Sequence, residues 1–170
     1  MADDRYHIDQ SRQEAGKRIL DMTDEVGFGA YAAGWIHDIP TSSWRYLMST
    51  PMLKSKGSLW VYRRLLTVFR HTPLPEGVSP LDIFVIDPDL EMALFGSNVF
   101  LDEASRMLKG VTNPQLSGII FAINHDIRIE DFAVTDGFVS FYRRLSPKLR
   151  KRLRDPIQTF DHRVKMLEVA

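Results

Sequence analysis

Apolar residues recur at helical spacing in three parts of the chain. Across residues 9–25 they form a thin stripe between charged positions, which is typical of a surface helix. After Ser58, a good N-cap residue, the stripe is wider and predicts a more deeply buried helix that ends before Pro73. Near the C-terminus, Ser146-Pro147 and Asp155-Pro156 each place an N-cap residue before proline, which predicts two further helices.

The segment 27–37 fits two structures. As a helix, it would carry a small-residue packing seam made by Ala30 and Gly34. Its glycines disfavour a helix, and the turn-forming residues at 38–43 favour a β-hairpin with residues 44–50. We therefore expect a hairpin here.

Further along, the run 83–86 consists of four apolar residues between Asp82 and Asp87. An uninterrupted apolar run of this length predicts a central strand that is covered on both faces. Residues 118–123 and 127–134 are predicted to be strands that pair with each other through a tight turn.

Together these elements predict one α+β domain over residues 1–170, with a mixed or antiparallel sheet of about five strands, helices packed on it, and a helical C-terminus. Residues 1–8 are expected to be a flexible N-terminus, and residues 138–170 a basic, helical C-terminal part. A strand at 99–101 and a helix at 102–109 are expected between the central strand and the paired strands.

The composition is that of a globular protein, with 44% hydrophobic and 26% charged residues. Cysteine is absent, which excludes disulfides, thiolate catalysis and cysteine-ligated zinc or iron–sulfur clusters. The first seven residues are mostly polar, and the longest uncharged run, residues 26–36, is too short to span a bilayer. The sequence therefore predicts a soluble cytoplasmic protein without a cofactor, a metal site or a membrane partner.

Charge is distributed unevenly along a chain whose formal net charge is zero. Residues 141–170 contain nine Lys or Arg against three acidic residues, a net charge of +6 that leaves −6 for residues 1–140. Seven of these cations are the predicted partner-binding residues: Arg143, Arg144, Lys148, Arg150, Lys151, Arg152 and Arg154.

A helix through this segment would turn apolar residues spaced four apart, starting at Phe141, toward the core and the cations toward solvent. Dense exposed positive charge is suited to binding phosphate. The alternative is a solvated helix face that pairs with the acidic remainder of the chain or with another subunit.

A second grouping consists of carboxylates around the predicted central strand. Oxygen ligands suit Mg²⁺, and the end of a central strand is a common place for metal-assisted phosphoryl chemistry. The candidate catalytic residues of such a hydrolase are Asp87, Asp89 and His125. Asp87 before Pro88 is equally well explained as an N-cap, and the Glu-x-Lys of restriction-nuclease-like sites is absent.

Five aromatic residues crowd one third of the chain: Trp35, Trp44, Tyr46, Trp60 and Tyr62. They fit either a platform on which bases or a small molecule would stack or an ordinary hydrophobic core between a hairpin and a helix.

The sequence therefore favours a non-enzymatic binding or regulatory module. Its basic C-terminal helices would engage an acidic protein surface, which includes a second copy of the chain, or a nucleic acid backbone. The alternative is a divergent metal-dependent phosphohydrolase or nuclease that uses the acidic residues near the central strand.

Overall fold

The computed structural model describes residues 4–96, 100 and 119–170. The strands of these ranges are β1 (Ala32–Asp38), β2 (Ser43–Ser49), β3 (Ile83–Ile86), β4 (Ile119–Ile123), β5 (Ile127–Ile129), β6 (Phe132–Val134) and β7 (Gly137–Arg144). The α-helices are α1 (Gln10–Glu25), α2 (Met52–Lys56), α3 (Ser58–His71), α4 (Pro88–Phe95), α5 (Pro147–Arg152) and α6 (Ile157–Val169). Short 3₁₀ turns lie at Asp4–Tyr6 and Pro80–Asp82.

Five of these strands form a mixed sheet in the order β3-β2-β1-β7-β4. The pair β2 and β3 is parallel, and the other three pairs are antiparallel. Strands β5 and β6 form a separate two-stranded antiparallel sheet. The predicted α+β fold, with a mixed sheet of five strands and helices at the C-terminus, is confirmed.

Several helices begin where the sequence carries a capping residue. The side chain of Asp9 accepts a hydrogen bond from the Arg12 N–H at 2.9 Å at the start of α1. Asp87 accepts one from the Asp89 N–H at 2.8 Å before α4, whose first position is a proline. Ser146 caps α5 in the same way. These helix starts are therefore determined by local sequence.

The sheet is covered on both faces. On one face, α1, α3 and α6 pack against alternate strand residues that include Trp35, Tyr46 and Val85. On the other face, the β5–β6 hairpin and part of α4 cover a second core that includes Ile36 and Phe84. The domain is therefore a three-layer arrangement with the five-stranded sheet in the middle.

Helix α1 lies unusually close to the sheet. The Trp35 indole N–H donates to the Arg12 carbonyl at 2.9 Å, and the Tyr46 hydroxyl donates to the Gly16 carbonyl at 2.9 Å. A Cβ atom at Gly16 would lie 2.4 Å from the Tyr142 ring and 2.5 Å from the Trp35 indole nitrogen. Two of the five crowded aromatics, Trp35 and Tyr46, are thus fully buried core residues.

Strand β3 is buried on both faces, as predicted, but its position in the sheet is not central. Within the described residues it pairs with β2 alone and forms one edge of the five-stranded sheet. Residues 83–86 are all apolar because other layers of the fold pack against both faces of the strand. Burial of both faces does not require a neighbouring strand on each side, so an edge strand can show the same pattern.

The prediction of a helical segment from residue 138 is wrong up to residue 144. Residues 137–144 form β7, which lies between β1 and β4 in the sheet. Its first five residues are all buried because both faces of the sheet are covered, so the period-two pattern of a half-exposed strand is missing. Helices begin only at Pro147.

The prediction that residues 118–123 pair with 127–134 is also wrong. Strand β4 pairs with β7, and the second segment folds on itself as β5 and β6.

In the N-terminal segment, Ile8 is only 6% exposed and belongs to the helix-side core, whereas residues 1–3 lie outside the described ranges. The predicted strand at 99–101 and helix at 102–109 also lie outside them, except for Phe100.

None of the described helices is both long enough and apolar enough to cross a membrane.

Candidate functional site

Six of the seven predicted partner-binding cations lie on β7 and α5, and Arg154 follows α5. The seven divide into two groups by burial. Arg143 is on β7, where its guanidinium makes two hydrogen bonds to the Asp24 carboxylate, at 2.8 and 2.6 Å. Hydrogen bonding to Asp24 raises the pKa of Arg143 above its usual value, although partial burial acts in the opposite direction. Arg143 therefore joins β7 to the end of α1.

Arg144, the next residue on β7, is completely buried. Its Nη2 lies 3.3 Å from Glu91 Oε2 and also donates to the Gly96 carbonyl. Its guanidinium carbon lies 5.5 Å from the ring centre of Phe141. The Glu91 side chain has no exposed area, so this ion pair is part of the interior.

Arg150 on α5 binds the other oxygen of the same carboxylate. Its Nη2 lies 2.5 Å from Glu91 Oε1, and its Nε donates to the Leu145 carbonyl at 2.8 Å. Only 8% of the Arg150 side chain is exposed. Glu91 therefore holds two arginines that the sequence analysis had assigned to an outer surface.

The outward orientation predicted for Arg143, Arg144 and Arg150 is wrong. It assumed one continuous helix from residue 141, whereas the strand ends at Arg144 and α5 begins at Pro147. The change from strand to helix rotates the side chains. Asp24 of α1 pairs with Arg143, which is partly buried, and Glu91 of α4 pairs with the buried Arg144 and Arg150.

The other four predicted cations are exposed. They are Lys148, Lys151, Arg152 and Arg154. Within the part of the chain that the structure describes, their side chains form no hydrogen bond and no salt bridge. They lie within seven consecutive residues on and just after α5, so their positive charge is concentrated and available to a partner.

Helix α2 lies at the same end of the sheet as α5. Strands β2 and β7 are both antiparallel to β1, so they run in the same direction, and α2 and α5 follow their C-terminal ends. Two strand spacings separate β2 from β7, about 10 Å. Helix α2 contributes exposed Lys54 and Lys56.

We call these six residues the cationic end of the sheet: Lys54, Lys56, Lys148, Lys151, Arg152 and Arg154. Lys54 lies 3.7 Å from Asp89, but both side chains are more than three-quarters exposed, so this pair is weak and easily exchanged for another anion. The contribution of Lys54 and Lys56 was missed in the sequence analysis because about 90 residues separate them from α5.

The candidate catalytic residues Asp87, Asp89 and His125 are not brought together. Asp87 follows β3 and acts as the N-cap of α4, whereas His125 follows β4. These strands are at opposite edges of the sheet, about 19 Å apart by four strand spacings, and they run in opposite directions. Asp87 and His125 therefore also lie at opposite ends of the sheet.

The described residues around Asp87, Asp89 and His125 form no metal-binding cluster. Searching the described residues finds no cluster of three or more His, Asp or Glu side chains that would hold a metal ion. His125 is exposed, and its ring nitrogen lies 3.4 Å from the side-chain oxygen of neighbouring Asn124.

Comparison of the chain with protein-family models, with curated proteins and with solved structures finds no match. The function must therefore be argued from the residues of the site.

Proposed function

We propose that this protein is a non-enzymatic module that binds the phosphate backbone of nucleic acid through the cationic end. The observation that supports this most strongly is the exposure of Lys148, Lys151, Arg152 and Arg154, which have no acidic partner among the described residues.

Burial of the other cations strengthens the proposal. Arg144 and Arg150 share the Glu91 carboxylate, and Arg143 pairs with Asp24. The fold therefore places Asp24 and Glu91 on these arginines and leaves Lys148, Lys151, Arg152 and Arg154 without an acidic partner among the described residues. Five cations on α2 and α5 and one just after α5 form a surface that would contact several phosphates at once, and each contact would release a bound counterion from the nucleic acid.

Sequence-independent binding is the form that these residues support. Phosphate contacts position a protein on nucleic acid, whereas base recognition needs side chains that enter a groove or stack on bases. The large aromatics Trp35 and Tyr46 are buried and unavailable for stacking. We therefore expect affinity to depend strongly on salt and weakly on sequence.

Fluorescence anisotropy with labelled single- and double-stranded DNA and RNA, measured at increasing salt, tests the proposal. Each phosphate contact contributes about −0.9 to the slope of log affinity against log salt on duplex DNA. We expect Lys151→Ala with Arg152→Ala to weaken binding on every sequence and to reduce the size of this slope by about 2.

The matched control removes two exposed cations from other surfaces, Arg18 on α1 and Arg128 on β5, each replaced by alanine. This control has the same net charge as the test variant, so equal weakening by both would mean that overall charge and not the cationic end causes binding. Absence of binding at low salt would contradict the proposal and would leave an acidic protein surface as the remaining partner for these cations.

A further inference from the structure

Helix α3 presents an apolar ridge to solvent. Leu59 is 64% exposed and Leu66 is 38% exposed, and their spacing of seven residues places them two turns apart on one side of the helix. Leu81, which precedes β3, is 84% exposed. Leu66 and Leu81 line the same groove, and Leu59 lies two turns from Leu66 on the same helix. Contiguous exposed apolar surface of this kind often marks a site that binds another protein.

A groove of about 470 Å³ lies beside this ridge. Apolar side chains of α3 and β3 form most of its walls, including Leu65, Phe69 and Ile83. The Tyr62 hydroxyl, also in the groove, accepts a hydrogen bond from the Val85 N–H at 2.9 Å. This bond occupies the Val85 backbone N–H, so an added strand could not pair with β3 at this position. The groove is instead suited to receiving apolar side chains.

Charges of opposite sign flank the two features. Arg63 and Arg70, also seven residues apart on α3, are exposed beside the ridge. Glu130 and Asp131, in the turn between β5 and β6, are exposed on the far side of the groove. Within the described residues none of these four side chains forms a salt bridge. The surface therefore runs in the order cations, ridge, groove, anions.

We propose that this surface binds the same surface of a second copy of the chain. A two-fold axis parallel to α3 reverses the order of the four features in the second copy. It therefore places the Leu66 ridge of each copy over the groove of the other, and Arg63 and Arg70 of each copy over Glu130 and Asp131 of the other. An axis perpendicular to α3 would instead oppose cations to cations. Complementarity in shape and charge thus selects one symmetric dimer, in which the two α3 helices are parallel.

Sedimentation velocity of the full chain over a concentration series tests the dimer. The wild-type chain is expected to dimerise, and Leu81→Lys is expected to weaken the dimer by at least about tenfold because it places a charge in the groove that receives the Leu66 ridge of the second copy. The control Leu153→Lys makes the same change at an exposed leucine on another surface, 44% exposed after α5, and should leave the dissociation constant unchanged. A wild-type chain that remains monomeric up to its solubility limit would overturn the proposal.

A charge exchange separates the interface from a general effect on folding. Arg63→Glu with Arg70→Glu should weaken the dimer, as should Glu130→Arg with Asp131→Arg, because each variant opposes like charges. The variant with all four changes restores opposite charges and should recover most of the affinity. Circular dichroism should show that both doubly substituted variants fold. If they fold and the variant with all four changes does not recover dimer affinity, the proposed arrangement is overturned.

Discussion

Arg150 and Glu91 are 59 residues apart in the chain, yet Arg150 Nη2 lies 2.5 Å from Glu91 Oε1 in an almost fully buried ion pair. Arg152, two residues further along, is exposed. This difference divides a basic segment that looks uniform in the sequence into a structural part and a surface part, and it determines which substitutions can test binding.

Alanine substitutions at Arg150 and Arg152 should therefore have different effects on the free energy of unfolding. Arg150→Ala removes one of the two guanidinium partners of Glu91 and leaves Arg144 in place, so the cost is that of a hydrogen bond to a charged group, about 1.5–3 kcal/mol. Arg152→Ala should change the free energy of unfolding by no more than about 0.5 kcal/mol, as is usual for an exposed residue. Urea unfolding followed by circular dichroism measures both, and equal stabilities would contradict the buried pair.

The close packing of α1 on the sheet predicts an unusual effect of alanine in a helix. Gly16→Ala would gain about 1 kcal/mol from helix propensity. The new methyl group would, however, meet Tyr142 and Trp35 at 2.4–2.5 Å, and such overpacking costs about 1–3 kcal/mol. We expect a net loss of stability in thermal unfolding. Ser11→Ala, on the exposed side of the same helix, is the control and should be neutral or slightly stabilising.

The burial of His37 predicts that the stability of the fold depends on pH. It stacks on Trp44 with ring centres 3.8 Å apart, and burial lowers the pKa of His37 below its usual value near 6.5. The unfolded chain therefore binds a proton more readily than the folded one. The stabilisation should be fully present above the unfolded pKa and should be lost as the pH falls through the folded pKa.

Unfolding by urea at a series of pH values between 8 and 5 checks this expectation, since His37→Gln should flatten the profile. A wild-type profile as flat as that of His37→Gln would contradict a neutral His37.

The hydrogen bonds that Asp38 accepts predict a loss of stability in acid. Burial acts to raise the pKa of Asp38, but hydrogen bonds from Thr41 and from the Thr135 and Asp136 backbones outweigh it, so the pKa lies below its usual value. The shortest of these bonds is 2.6 Å, from the Thr41 hydroxyl. This stabilisation is present above the unfolded pKa near 3.8 and is lost as the pH falls through the folded pKa.

Substitution of the same residue gives the matching test at neutral pH. Asp38→Ala removes the charged acceptor of hydrogen bonds from Thr41 and Thr135 and should cost about 1.5–3 kcal/mol in urea unfolding. Thr41→Val removes only the hydroxyl donor and should cost less. An Asp38→Ala protein as stable as wild type would show that these hydrogen bonds do not stabilise the fold.

Local patterns determined much of the secondary structure. The capping residues Asp87 and Ser146 predict helix starts that the structure confirms, because a cap satisfies backbone N–H groups only a few residues away. The predicted cap Ser58 is wrong, because it is the first residue of α3 and makes no capping hydrogen bond. The hairpin of β1 and β2 and the buried strand β3 were predicted for the same reason, since turn residues and apolar runs act over short distances. Uneven charge along the chain likewise identified the C-terminal region as a candidate for binding.

Only the tertiary structure decided which residues of that region face a partner. Arg144 and Arg150 turn inward because Glu91, more than 50 residues earlier in the chain, is brought against them by the packing of α4. Strand β7 was mistaken for a helix because burial on both faces removes the period-two pattern by which a strand is recognised. Asp87 and His125 were grouped by residue type, and the strand order separates them to opposite edges of the sheet. In each case the deciding interaction joins residues distant in sequence, and no local pattern encodes such a contact.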